Sequence, residues 1–368
     1  MRTHTLLALV VIGGLVTLAV AATPADNPTR KFGFLFAVTK PDCQGGNACA
    51  GEFETRLLVI DGDKMRVVVN TPHLYLPRNS GFWEVGITVP KTVSGLQPQA
   101  GAQTSDEEMP VVGASDEPIL QLWAAPLGVK PTFPELSPKE EGNPQEEPEE
   151  ELHSLSIGWV GTDYLSVTEQ IGEYTTSPLI LPIDGIASNA ADNSWRPKAP
   201  DTVLRKDLES CIDEKSDFNT REFLEDANQA WSITRGRMRW EFNWSFSHSG
   251  RALRGYGAAC LTSLRPPKEL VGSDVLGAGW NQVLPRVPDA RTAFASPDRS
   301  LVLVFTSNQI LALKREGNAL GAPLARVFLP SGQIVSGQWA VGKYVDAWAE
   351  QLSHAKSWTD KNRSDDKH

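Results

Sequence analysis

Between Met238 and Ser247 the chain alternates without a break. Met238, Trp240, Phe242, Trp244 and Phe246 are apolar, and Arg239, Glu241, Asn243, Ser245 and Ser247 are polar. A period of two puts the sets on opposite faces, as in a half-buried strand. Residues 30–93 hold further strand-like runs, "KFGFLFAV", "TRLLVIDGDKMRVVVN" and "FWEVGITV". Asp61-Gly62 between two apolar runs predicts a tight hairpin. Asp61 and Asp63 fit that turn better than a calcium loop, because no further acidic residue continues the ligand spacing. Residues 154–185 and the stretch "SPDRSLVLVFTSNQILALK", from Ser296 to Lys314, predict more strands joined by short turns.

The period lengthens in two places. Phe223, Ala227, Ala230 and Trp231 line one face of a helix predicted within 203–231, with Asn219 and Glu222 at capping-box spacing. Tyr344, Trp348 and Leu352 recur at i, i+4 and i+8 and predict a helix within 340–356. Residues 353–368 read as a polar, fraying tail. With 26 Pro, 30 Gly and only 22% charged residues, turns and strands dominate. The expected fold is mainly β with a few helices. It is either an irregular β-propeller-like array or two β-rich subdomains, over residues 30–94 and 154–352.

Charge changes the picture in one segment. Residues 105–151 hold 13 Asp or Glu and two Lys, a local net of −11. The whole chain is −10, so taking −11 away leaves about +1 for the rest. Pro- and Glu-rich, with no periodic apolar face, residues 95–153 read as a disordered acidic insertion. Short apolar islands such as "PILQLWAAPLG" could dock locally.

The N-terminus supplies the compartment. Arg2 and His4 precede an apolar run from Leu6 to Ala22 that ends in Ala19-Val20-Ala21. That is the layout of a secretory signal peptide over residues 1–22, cleaved after Ala21 or Ala22. A retained membrane anchor is the rival reading. Export to the periplasm or beyond suits two disulfides, Cys43 with Cys49 and Cys211 with Cys260, one of three possible connectivities. No C-x-x-C or paired His spacing points to a metal instead.

"ASPDRSLVLVFTSNQILALK" and, more faintly, "GWVGTDYLSVTEQ" place a turn Asp before an apolar strand. The first resembles the PD40/WD40-type β-propeller repeat over about twenty residues. More loosely, "GFWEVG", "SPDRSLVLV" and "QWAVGKYV" in an exported chain resemble uncharacterised exported bacterial proteins. Neither resemblance implies an activity. Trp123, Trp159, Trp195 and Trp231 are spaced 36 apart, but their neighbourhoods differ and the spacing reads as chance.

No nucleotide-binding glycine loop or nucleophile elbow is present, and no cofactor is implied. His248 in "FSHSG" reads as a turn residue. Asp163, Glu169, Glu173 and Asp184 could supply a glycosidase pair from separate strands. Trp83 and Trp280, beside turn residues, could stack on sugar rings, whereas Trp240, Trp244 and Trp348 read as core. The one conspicuous charge feature is basic. Arg235, Arg237, Arg239, Arg251, Arg254, Arg265 and Lys268 are opposed between positions 235 and 268 by Glu241 alone. Guanidinium groups suit oxyanions. The expected binding set is therefore Arg235, Arg237, Arg239, Arg251 and Arg254, facing an anionic polymer or an acidic protein surface. Export argues against nucleic acid, and membrane contact is expected only through the signal peptide. The functional expectation is a non-catalytic envelope or periplasmic binding protein. A glycan-directed exported hydrolase is the alternative.

Overall fold

Apolar alternation turns into paired strands almost everywhere the computed structural model describes the chain. It describes residues 30–39, 52–88, 121–131, 152–171, 175–186, 195, 203, 206–207, 228–247, 258–272, 276–329, 331–355 and 357. The fold is mainly β, with five antiparallel sheets and three helices among the described residues.

The first sheet runs β17-β1-β2-β3, joining β1 (Phe32–Thr39), β2 (Phe53–Asp61) and β3 (Lys64–Thr71) to the last strand, β17 (Gln333–Val341). The second is β4 (Leu74–Arg78), β5 (Gly81–Thr88) and β6 (Gln121–Pro126). The third is β7 (Leu152–Val160), β8 (Tyr164–Ile171) and β9 (Thr175–Pro182). The fourth is β10 (Asn228–Arg235), β11 (Trp240–Ser247) and β12 (Ala258–Leu261). The fifth is β13 (Thr292–Ala295), β14 (Leu301–Phe305), β15 (Gln309–Glu316) and β16 (Ala319–Phe328). Helices α1 (Lys268–Val271) and α2 (Trp280–Val283) lie between the fourth and fifth sheets, and α3 (Lys343–Ser353) follows β17.

Each sheet touches the next. Tyr75 N–H donates to the buried Thr55 hydroxyl at 3.2 Å, linking the first and second. Leu74, Leu76 and Val85 pack with Leu155, Ile157 and Leu165 between the second and third. Ile233 N–H donates to the buried Ser166 hydroxyl at 3.2 Å between the third and fourth. The Trp240 and Phe294 rings meet edge to face between the fourth and fifth. Phe34 lies 4.9 Å from Phe294, ring centre to ring centre, and returns the fifth to the first. The five antiparallel sheets are joined in this succession, and they form no closed propeller among the described residues. The largest apolar cluster gathers Phe34, Phe36, Trp159, Trp231, Phe242, Phe294 and Phe305 from four of the five sheets. Gly337 admits this packing because an added Cβ would stand 2.8 Å from Phe294 and 2.9 Å from Phe34.

Four expectations change. Residues 228–231 do not end a helix; they open β10, with Trp231 and Ile233 buried two apart and paired to β11. Tertiary pairing outweighs the helical spacing there. Helical geometry is seen earlier in that stretch, at residues 203 and 206–207. Within the expected disordered insertion, Gln121–Pro126 is the third strand of the second sheet, and Trp123 packs over Gly86, which has no side chain to oppose it. In α3 the buried residues are Val345 and Leu352, while Tyr344 is 59% exposed, so the apolar stripe starts one residue later than the spacing suggested. Finally, Ser357 is no frayed residue. It is fully buried and donates to Glu84.

Cys43, Cys49, Cys211, Arg251, Arg254, His248 and Glu173 lie outside the described residues, as do residues 1–29. Cys260 lies on β12 opposite Trp244.

Candidate functional site

The expected basic face separates into three different residues. Arg235 ends β10 and turns inward. Its Nε donates to the Thr292 hydroxyl at 2.9 Å, and another guanidinium nitrogen donates to the Ala293 carbonyl. The guanidinium carbon lies 3.6 Å from the Phe294 ring centre and 5.2 Å from that of Trp240. Stacked and hydrogen-bonded, Arg235 clamps the fourth sheet to the fifth and is not available to a ligand. Arg239 stands 3.6 Å from Glu241, a partly exposed pair. Of these three, Arg237 alone is exposed. Its carbonyl accepts the Ala293 N–H at 3.0 Å, which docks the β10–β11 turn onto β13. Alternation along β11 gave the right faces. It could not show that Arg235, beyond the strand, would find an aromatic partner 59 positions away in Phe294.

The carboxylates offered for catalysis do partly converge. Asp163 follows β7, and Asp184 lies on the 3₁₀ turn Ile183–Gly185 after β9. Both reach Arg78 at the end of β4. Arg78 grips Asp184 through two hydrogen bonds, of 2.6 and 2.9 Å, and Asp163 through a third, of 3.1 Å. Those hydrogen bonds from Arg78 hold the Asp184 carboxyl below its ordinary value against a smaller opposing effect of burial. A general acid needs the opposite shift. The Arg78 guanidinium also covers Trp83 at 4.5 Å from the ring centre, so that indole face is already occupied. Trp280, the other aromatic candidate, packs on an apolar cluster with Val283 and Leu313.

A buried acid lies elsewhere. Glu84 on β5 is 2% exposed, accepts from Ser357, and has His73 Nδ1 at 3.3 Å. A hydrolytic Ser-His-acid relay places the imidazole between the other two. Here the carboxylate stands between them, and the arrangement ties the C-terminal segment to the second sheet. Among the described residues no group of three His, Cys, Asp or Glu could hold a metal ion. No described helix is long and apolar enough to cross a membrane.

What sequence reading missed is the basic character of the fifth sheet and its turns. Residues 286–326 carry Arg286, Arg291, Arg299, Lys314, Arg315 and Arg326 against Asp289, Asp298 and Glu316. Arg291, Arg299, Lys314 and Arg326 are exposed. None of these six, nor Arg237, enters an ion pair among the described residues. Asp298, the acid nearest to Arg299 in sequence, is already committed. Its Oδ1 accepts from the Ser296 hydroxyl, the Ser300 N–H and the Ser300 hydroxyl, and its Oδ2 accepts from Arg30 at 2.9 Å. Burial pushes the Asp298 carboxyl up, but these partners outweigh it and keep it below its ordinary value. The signal was present as a charge imbalance. It was diluted over about forty residues instead of being packed into ten.

No protein-family model matches the chain, and no curated protein matches it in sequence.

Proposed function

We propose that this is an exported, non-catalytic protein that binds an anionic polymer through Arg237 and the basic side chains of the fifth sheet. The observation that carries the reading is the set of exposed cations, Arg237, Arg291, Arg299, Lys314 and Arg326, left without carboxylate partners among the described residues. A solvated surface ordinarily mixes both signs. A surplus of one sign raises the local concentration of opposite charge and speeds its capture. The apolar run from Leu6 to Ala22 supports export, which directs attention to wall and envelope polymers bearing carboxylate or phosphate. The hydrolase alternative has weaker support, because Asp163 and Asp184 are both engaged by Arg78.

The test is calorimetric titration of the mature chain with polygalacturonate and with inorganic polyphosphate, set against the triple variant Arg237→Gln, Arg291→Gln, Arg326→Gln. Saturable binding by the parent, weakened about tenfold or more in the variant, supports the reading, since each lost charge-assisted contact is worth up to a factor of about ten. No binding of either polymer by the parent removes it.

A further inference from the structure

At one end of the fifth sheet two turns meet a glycine. The Arg315 N–H donates to the Ser300 carbonyl at 2.8 Å, which fixes the β15–β16 turn beside the β13–β14 turn. Arg315 Nε donates to the Gly317 carbonyl at 2.9 Å and so sets the direction of its guanidinium. In the other turn, Arg299 N–H donates to the Ser296 carbonyl and Ser296 N–H to the Leu301 carbonyl, both at 2.8 Å. That closure leaves Arg299 at φ +60°, the one non-glycine residue in the left-handed region among those described. Arginine is rarely found there, and sparsely populated backbone conformations concentrate at functional sites.

Both side chains then run towards Gly277, itself exposed and at φ +67°. A Cβ at Gly277 would stand 3.0 Å from Arg315 Nη1 and 3.0 Å from Arg299 Cδ. The two arginines therefore approach one point, Arg299 from the β13–β14 turn and Arg315 from the end of β15, over a residue that presents only backbone. Neither meets a carboxylate among the described residues, and Asp298, next to Arg299 in sequence, is filled by Ser296, Ser300 and Arg30. Like charges drawn together repel unless something of opposite charge lies between them. The Arg315 guanidinium lies over this open backbone, and the Arg299 stem beside it carries a second guanidinium from the same point; such a pair matches the hydrogen-bonding pattern of a single oxyanion.

We propose that Arg299 and Arg315, with Gly277 beneath them, form a site for one oxyanion group, a phosphate or a carboxylate carried by the anionic polymer. The polymer rests on the function proposed above; the oxyanion site rests on this geometry alone. Gly277 is what separates a built site from a diffuse positive field. Replacing it with alanine alters no charge and still disturbs both arginines.

The experiment titrates the mature chain with inorganic phosphate, acetate, polyphosphate and oligogalacturonate, and compares Arg299→Gly, Arg315→Gln and Gly277→Ala with a Lys64→Gln control, an exposed cation of the first sheet. Thermal unfolding confirms that each variant is folded. The site predicts a loss of about tenfold or more in each of the three variants and no more than about twofold in Lys64→Gln. Preference for the phosphate or the carboxylate pair identifies the group. Polymer binding that is unchanged in all three variants overturns the site and leaves the broader function standing. Inorganic phosphate or acetate bound by the parent and lost in the three variants, with neither polymer bound, keeps the site and removes the polymer. A parent that binds none of the four overturns both.

Discussion

Arg299 and Ser166 show how single residues carry strain and satisfaction in this molecule. An L-residue in the left-handed region costs about 1–2 kcal/mol, and glycine avoids that cost at the expense of about 0.5–1 kcal/mol of chain entropy. Arg299→Gly is therefore expected to stabilise the fold by about 0.5 kcal/mol or more, read as a higher midpoint in urea, while oxyanion binding falls. Loss of stability in that variant would mean that the Arg299 side chain serves the fold. Ser166 is fully buried and accepts the Ile233 N–H. Ser166→Ala leaves that donor unpaired inside the protein and should destabilise it by about 1–3 kcal/mol, with an unchanged denaturant slope. At this scale the sequence was only partly legible. The inward face of β11, with Trp240 and Phe242 buried, followed from alternation alone. The clamp role of Arg235 did not, because it depends on Thr292 and Phe294 of another sheet.

Between elements, a recurrent device joins neighbouring sheets. An arginine ending the first strand of one sheet reaches across to the next: Arg78 from β4 to Asp163 and Asp184, Arg235 from β10 to β13. The Arg78 clamp has a pH signature. Asp184 has a lowered carboxyl in the fold, so its contribution is present above the ordinary 3.8 and is lost as pH falls below it. The difference in Tm between the parent and Arg78→Met should stay constant from neutral pH down to about 5, then shrink as acid protonates Asp184. A difference that persists unchanged at pH 2.5 would assign the effect of Arg78 to its stacking on Trp83. Hairpins were the most legible elements, since turn chemistry and alternation agree in "IDGDK" and "SPDRSLVLV". The faint echo between Asp163 and Asp298 has a structural basis: both lie in the turn between the first and second strands of a sheet. Residues 228–231 misled because alanine and tryptophan spaced for a helix also fit a buried strand once a partner strand is present.

Over the whole molecule, the first sheet needs both halves of the chain. β17 pairs with β1 from Phe32↔Val341 to Thr39↔Gln333, and no local pattern announces a pairing over some three hundred residues. Truncation before Gln333 is expected to abolish cooperative unfolding, because it strips β1 of a partner and exposes its edge. A sharp transition retained in that truncation would show that the remaining sheets form a core independent of closure. The acid-rich insertion gives the chain its negative total, yet exposed cations outnumber exposed acids over residues 286–326. Net charge is thus a poor guide to the partner, and local surplus is the better one.

The most direct test of anionic-polymer binding is the dependence of affinity on salt, measured on the mature chain with polyphosphate or polygalacturonate. Contacts with a polyanion release its counterions, so log K should fall linearly with log salt. The account predicts such a slope for the parent, reduced by about one for each cation removed at Arg237, Arg291 or Arg326. An affinity that does not respond to salt, or a slope unchanged by those substitutions, would contradict it.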